Sequence, residues 1–146
     1  MLHLMRQTRL RFNTGAGLIH KFDVARLCDR LLYIVNADGT GTLPLANTTD
    51  YEDFKGITES GRVIFERTGS NSVTSLCAVN TDGTGLTPLA TSGGHSFFVG
   101  TTPSGKVLFR RQSGNADLYI VNADGTGLTP LANSGNNEFF AAILPQ

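Results

Sequence analysis

The chain has 146 residues, and its 12 lysines and arginines balance 12 aspartates and glutamates, so the net charge is zero with neutral histidines. This balance argues against a general attraction to nucleic acid or to an anionic membrane, and we expect neither as a partner. Seventeen glycines, no tryptophan and 16% charged residues favour short β-strands and turns over a helical bundle.

The first twelve residues, MLHLMRQTRLRF, carry arginines where a secretory signal needs an uninterrupted apolar stretch. We read no export signal, which leaves a cytoplasmic location as the default expectation. This N-terminal stretch is compatible with a helix, a disordered arm or a degenerate strand. The two cysteines, Cys28 and Cys77, are too few for a disulfide framework or a metal cluster, and we expect no metal and no cofactor.

An Asn-x-Asp-Gly-Thr-Gly motif opens at Asn36, Asn80 and Asn122, so its copies lie 44 and then 42 residues apart. The similarity extends upstream, where TESGRVIFER (58–67) matches TPSGKVLFRR (102–111). A period of about 43 residues is the length of one four-stranded propeller blade. The sequence therefore predicts an all-β fold of three β-propeller blades, each of four antiparallel strands.

The apolar runs and turn signals predict four strands, A to D, in each unit. In the second unit these strands lie at about 53–58, 62–67, 75–80 and 86–90. In the third unit they lie at about 97–102, 106–111, 117–122 and 128–132. Pro44, Pro88 and Pro130 mark strand D as the outer edge, because proline cannot donate to a further neighbour.

The repeated motif is predicted to form the turn between strands C and D, where Asp bonds its own backbone and Gly takes a positive φ. The structural turn residues are Asp38, Gly39, Asp82, Gly83, Asp124 and Gly125. One carboxylate per turn is too few for calcium, which takes about six to eight oxygen ligands.

The segment SGKVLFRRQSGNADLYIVNADGTGLTPLA (104–132) closely resembles the repeat of TolB-type β-propellers, whose blades carry a PDG turn, an apolar strand and then DLYVMNADGTGLTRLT. The resemblance covers residues 58–132 and extends to 30–58. It implies a propeller used as a binding or interaction platform, sometimes beside a peptidase domain or as a lyase for acidic sugars. Ser60 and Ser104 replace the Asp of the family's PDG turn, and the usual Trp before that turn is absent.

Three units are fewer than the about four to eight blades of a closed propeller. Residues 137–146 align with strand A at 95–104, whereas the first unit, 13–46, is read as starting at strand B. The favoured reading of 1–146 is a single repeat domain that dimerises into a ring of six blades. The blades would be 13–46 completed by 137–146, 47–90 and 91–132, with the C-terminal strand completing the partner's first blade.

The alternative is that residues 9–12 supply the first strand A and that the chain is a fragment of a longer propeller.

Candidate binding residues lie at the opposite mouth of the ring from the repeated turns, where the sequence varies most between units. The aligned positions are Tyr51, His95 and Asn137, followed by Glu52, Ser96 and Glu138. They offer carboxylates, an imidazole and a phenol to a peptide or a small polar ligand, although such residues are also ordinary in polar loops.

The favoured function is a non-catalytic binding or protein-interaction module, and no residue is predicted to be catalytic. The alternative is a degenerate carbohydrate-active enzyme, resembling a lyase or a hydrolase, that uses His95 with Glu52 or Glu138.

Overall fold

The computed structural model describes residues 7–8, 13–14, 17–23, 30–36, 38–46, 48–90, 94–140 and 142. Within these ranges there is no helix, and the strands form three antiparallel sheets. The all-β prediction is confirmed for this part of the chain. None of the described residues forms a helix long and apolar enough to cross a membrane.

The second and third sheets are meanders in which strands that follow one another in sequence are hydrogen-bonded neighbours, whereas in the first sheet the first two strands both pair with the third. The first sheet contains β1 (Gln7–Thr8), β2 (Asn13–Thr14), β3 (Gly17–Asp23), β4 (Arg30–Val35) and β5 (Leu43–Pro44). The second contains β6 (Tyr51–Ile57), β7 (Arg62–Thr68), β8 (Thr74–Asn80) and β9 (Thr87–Pro88). The third contains β10 (His95–Thr101), β11 (Val107–Ser113), β12 (Asn115–Val121) and β13 (Thr129–Ala132).

The strands predicted for the second and third units are confirmed, and their observed ends differ from the predicted ends by up to about two residues. The prediction for proline is confirmed too. Pro44, Pro88 and Pro130 lie in the last strand of their sheets, and each of these strands pairs with a single neighbour among the described residues.

The turn before each last strand has the predicted chemistry, as the second sheet shows. Asn80 N donates to Thr84 O at 2.9 Å, and Gly83, with φ of 78°, donates to Asn80 O at 3.0 Å. Asp82 Oδ1 accepts the backbone N–H of Thr84 at 2.9 Å. Equivalent bonds form in the other two sheets, because the same residues recur there.

The sheets stack face to face, and an apolar core fills each of the two seams. The first core joins Leu32, Ile34, Leu45 and Ala46 of the first sheet to Val63, Phe65, Cys77 and Val79 of the second. The second core joins Ile64, Leu76, Ala78, Leu89 and Ala90 to Val107, Phe109, Val121 and Ala123 of the third. Because side chains alternate between the faces of a strand, the middle sheet is buried on both sides, which explains its continuous apolar runs.

The first sheet differs from the favoured reading of the sequence, in which it starts at its second strand. Both β1 and β2 pair with β3, through Thr8 opposite Lys21 and Asn13 opposite Leu18. This edge is therefore occupied by the same chain. Residues 9–12, which the alternative reading assigned to a first strand, lie outside the described residues.

The C-terminal strand predicted at 137–146 is not formed within residues 137–140 and 142, and its other residues lie outside the described ranges.

Candidate functional site

Tyr51 and Glu52 begin the first strand of the second sheet, and Glu52 connects this sheet to the first one. The Glu52 side chain is fully buried, with an exposed fraction of 0%. Its Oε2 accepts the backbone N–H of Leu32 in β4 at 2.9 Å. Its Oε1 accepts the hydroxyl of Thr48 at 2.7 Å. Glu52 thus satisfies a backbone donor across the seam between two sheets.

The charge state of Glu52 reflects competing effects. Burial raises the pKa of the Glu52 carboxyl above its ordinary value, whereas the bonds from Thr48 and Leu32 and the charge of Arg67 oppose the rise. Burial also removes this carboxyl from contact with solvent.

His95 and Ser96 hold the same positions at the start of the third sheet. His95 Nδ1 accepts the backbone N–H of Thr74, in β8 of the second sheet, at 3.3 Å. A neutral imidazole that accepts at Nδ1 carries its proton on Nε2. The His95 ring also stacks on Phe97 with 5.8 Å between centroids, and Ser96 is buried. His95 therefore joins the second and third sheets.

Asn137 and Glu138 repeat this arrangement beyond the third sheet. Asn137 Oδ1 accepts the backbone N–H of Ala116 in β12 at 3.0 Å. Glu138 N donates to the Ala116 carbonyl at 2.7 Å. Ala116 holds the position in the third sheet that Thr74 holds in the second. The C-terminal segment is thus docked where the first strand of a further sheet begins.

Four of the six predicted binding residues, Glu52, His95, Asn137 and Glu138, thus bond to a backbone group in the third strand of the preceding sheet, and Tyr51 and Ser96 are their neighbours in the chain. Their described contacts are made with the protein's own backbone and side chains. Sequence comparison identified the positions because they align between units. It did not identify the contacts, which depend on how closely one sheet approaches the next.

A cavity of about 500 Å³ opens between the second and third sheets at the end where the repeated turns lie. Its lining includes Glu59, Arg62, Lys106 and Asp124, so opposite charges balance there. Arg62 Nη2 donates to Ala78 O at 3.3 Å and to Thr87 Oγ1 at 3.1 Å, which holds the guanidinium against its own sheet. Sequence analysis missed this cavity because turns of two different units form it.

The described residues contain no group of three or more His, Cys, Asp or Glu side chains placed to hold a metal ion. The turn aspartates are engaged locally instead. Hydrogen bonds from Thr40, Thr84 and Thr126 lower the pKa values of Asp38, Asp82 and Asp124, respectively.

The outer face of the third sheet is defined by Leu108, Leu118, Ile120 and Leu131, of which Leu108 is buried at 5% exposure and the other three are more exposed. Their counterparts in the second sheet are Ile64, Leu76, Ala78 and Leu89, all buried against the third sheet. Leu131 is 53% exposed, whereas Leu89 is 3% exposed. Leu118 and Ile120 are only half-buried. Among the described residues, no further sheet packs on this face.

The turn of the first sheet differs from the other two repeated turns. A Cβ at Gly83 would lie 3.0 Å from the carbonyl oxygen of Pro44, so the turn of the second sheet rests on the last strand of the first. Gly125 lies against Pro88 in the same way, with a distance of 3.4 Å. A Cβ at Gly39 would meet no atom of the described residues within 4 Å.

Comparisons with protein-family models, curated proteins and solved structures find no match to this chain.

Proposed function

We propose that this chain is a non-catalytic protein-interaction module built as three blades of a TolB-type β-propeller, and that it associates with a second copy of itself. The recognition surface is the outer face of the third sheet. Two copies contribute three sheets each, which makes a ring of six blades with twofold symmetry.

The observation that carries the proposal is the unequal burial of equivalent apolar residues. Ile64, Leu76 and Leu89 are buried because the third sheet covers them, whereas Leu131 stands open at the same position. Removing apolar surface from water contributes about 25 cal/mol per Å². The outer face of the third sheet carries apolar residues at the positions that are buried in the second sheet. It is therefore suited to packing against another sheet of the same kind.

The arrangement of strands supports propeller blades. The second and third repeats of about 43 residues each contain a four-stranded antiparallel meander, and the three sheets stack through apolar seams. Proline lies in the outermost strand of each sheet, where no further strand requires a hydrogen bond from its backbone nitrogen.

The contacts of the predicted site residues favour binding over carbohydrate chemistry. Glu52 is buried and accepts two hydrogen bonds, and Nδ1 of His95 is bonded to Thr74. A general acid or base must reach its substrate within hydrogen-bonding distance. Glu52 is not placed to do so, and His95 offers only its other ring nitrogen.

Light scattering of the purified chain tests the proposal. We expect a mass of twice 15.6 kDa. Leu131→Asp should return the mass to 15.6 kDa because it places a carboxylate in the seam. Leu86→Asp is the matched control, since Leu86 is 41% exposed and lies outside the two described cores.

A wild-type mass of 15.6 kDa across the concentration range would contradict the proposed association. If Leu131→Asp and Leu86→Asp changed the mass in solution equally, the outer face of the third sheet would not be the surface through which the copies associate. Circular dichroism of each variant checks that the strands are retained.

A further inference from the structure

We propose that the C-terminal segment, from Asn137 onward, pairs with β3 of a second copy and replaces β1 and β2 there. The sheet β3–β5 of that second copy then covers the outer face of the third sheet. This inference rests on the proposed function and specifies how the two copies join.

The C-terminal segment already lies at the edge of the third sheet where a further first strand would begin. Asn137 contacts Ala116 as His95 contacts Thr74, with a side-chain acceptor on a backbone N–H of the preceding sheet. The segment therefore already has the place of a first strand. In the described part of the chain, it has no second strand beside it.

The edge formed by β1 and β2 differs in length from the first strand of the second sheet. In the second sheet, Asp53 pairs with Glu66 and Ile57 pairs with Val63, so four residue steps separate the two pairs. The matching pairs of the first sheet involve Thr8 and Asn13, which are five steps apart. The first sheet's own edge is thus one residue longer than the repeat requires.

The C-terminal segment has the spacing of the repeat. Phe139 aligns with Asp53 and with Phe97, and the aligned Ile143 follows four steps later, as Ile57 and Thr101 do. The segment from Asn137 therefore has the residue spacing that the repeat uses for the first strand of a sheet.

The aromatic side chains of the C-terminal segment are more exposed than those of the first strands in the second and third sheets. Phe54 and Phe98, at one aligned position, pack against the first and second cores. Phe140 holds this position in the C-terminal segment and is 37% exposed, while its neighbour Phe139 is 78% exposed. Pairing with β3 of a second copy places Phe140 at the seam where its counterparts are packed.

The first sheet of the second copy supplies suitable positions. By register, β3 and β4 place Leu18, His20, Tyr33 and Val35 where the second sheet has Val63, Phe65, Cys77 and Val79. The turn at Gly39 would then rest on the carbonyl of Pro130, as Gly83 rests on Pro44.

Disulfide trapping between two variants tests the exchange. One chain carries Phe139→Cys and the other Lys21→Cys, both with Cys28→Ser, because the repeat places these residues opposite each other. Cross-strand Cβ atoms lie about 4.5–5.5 Å apart, close to what a disulfide needs. We expect a covalent product of twice 15.6 kDa under mild oxidation.

Two controls calibrate the result. Phe97→Cys with Arg110→Cys in a single chain is the intramolecular counterpart, because these residues pair between β10 and β11. Phe140→Cys mixed with Lys21→Cys is the mismatched pair, since neighbouring residues of a strand point to opposite faces. At least a tenfold preference for the matched pair over the mismatched one is expected.

The outcomes separate the two proposals. No intermolecular disulfide, with the intramolecular control formed and a wild-type mass that Leu131→Asp still halves, would overturn strand exchange and retain the interaction face. A monomeric wild type without cross-links would overturn both.

Discussion

The carboxylate of Glu52 accepts the backbone N–H of Leu32 at 2.9 Å, and this bond links the first strand of one sheet to the third strand of the preceding sheet. His95 and Asn137 make bonds of the same kind to Thr74 and Ala116. Stacked sheets leave backbone donors facing a seam that water does not reach, and such donors need partners. Polar side chains at the start of β6, at the start of β10 and in the C-terminal segment supply them.

Replacing Glu52 should therefore destabilise the fold. Glu52→Ala leaves the Leu32 N–H without its acceptor in a buried seam, which costs about 1–3 kcal/mol of the free energy of unfolding. Urea denaturation measures the loss. Glu59→Ala is the control, because Glu59 is exposed, and it should change stability by less than about 0.5 kcal/mol. Equal losses in the two variants would contradict this role of Glu52.

The raised pKa of Glu52 gives the fold a characteristic pH dependence. A carboxyl whose folded pKa exceeds its unfolded value stabilises the fold below the unfolded value, and the contribution disappears as the pH rises through the folded pKa. The free energy of unfolding of the wild type, relative to Glu52→Gln, should fall as the pH rises from below 4.5 towards neutrality. Urea titrations of both proteins across this range measure this difference in the free energy of unfolding. A difference that rises with pH would contradict a raised pKa for Glu52.

Two turn glycines that share their conformation should differ in their tolerance of a side chain. Gly39 and Gly83 have φ values of 85° and 78°, so alanine costs about 1–2 kcal/mol at each. Gly83→Ala also places a Cβ 3.0 Å from the Pro44 carbonyl, whereas the Cβ of Gly39→Ala meets no atom of the described residues within 4 Å. Both variants are compared in a Leu131→Asp background, which keeps the chain monomeric. There, Gly83→Ala should lower the thermal unfolding temperature more than Gly39→Ala does. Identical losses would mean that the seam accommodates the methyl group.

Equivalent leucines in the second and third sheets should respond differently to truncation. Leu89→Ala removes a side chain that is 3% exposed and should cost about 2–5 kcal/mol. Leu131→Ala, at the same position but 53% exposed, should cost under about 1 kcal/mol in the dilute monomer. Unfolding measured at low protein concentration makes the comparison. A large loss for Leu131→Ala in the monomer would show that its face is already covered.

Most of the second and third sheets could be predicted from the sequence. Short apolar runs such as Val63–Phe65 form strands, and the Asn-x-Asp-Gly motif closes each strand onto the next through local bonds such as Thr84 N to Asp82 Oδ1. These features depend on residues close together in the chain. The repeat also predicted proline in the last strand, because the missing N–H restricts where proline can lie.

For the candidate site, the sequence predicted which residues occupy equivalent positions but not which contacts they make. Alignment grouped Glu52, Ser96 and Glu138, but nothing in the sequence indicated that Glu52 is buried against Leu32 or that Ser96 is inaccessible. The favoured reading of the sequence did not include β1 and β2 beside β3, because this pairing does not follow from a local pattern.

The sequence by itself determined the strands, their turns and their order within each sheet, because these follow from side-chain alternation, proline and glycine placement and local hydrogen bonds. Only the tertiary structure decided which apolar faces are covered and which remain open, as Leu89 and Leu131 show. The physical reason is that burial depends on what lies across a seam, and residues far apart in the chain supply that partner.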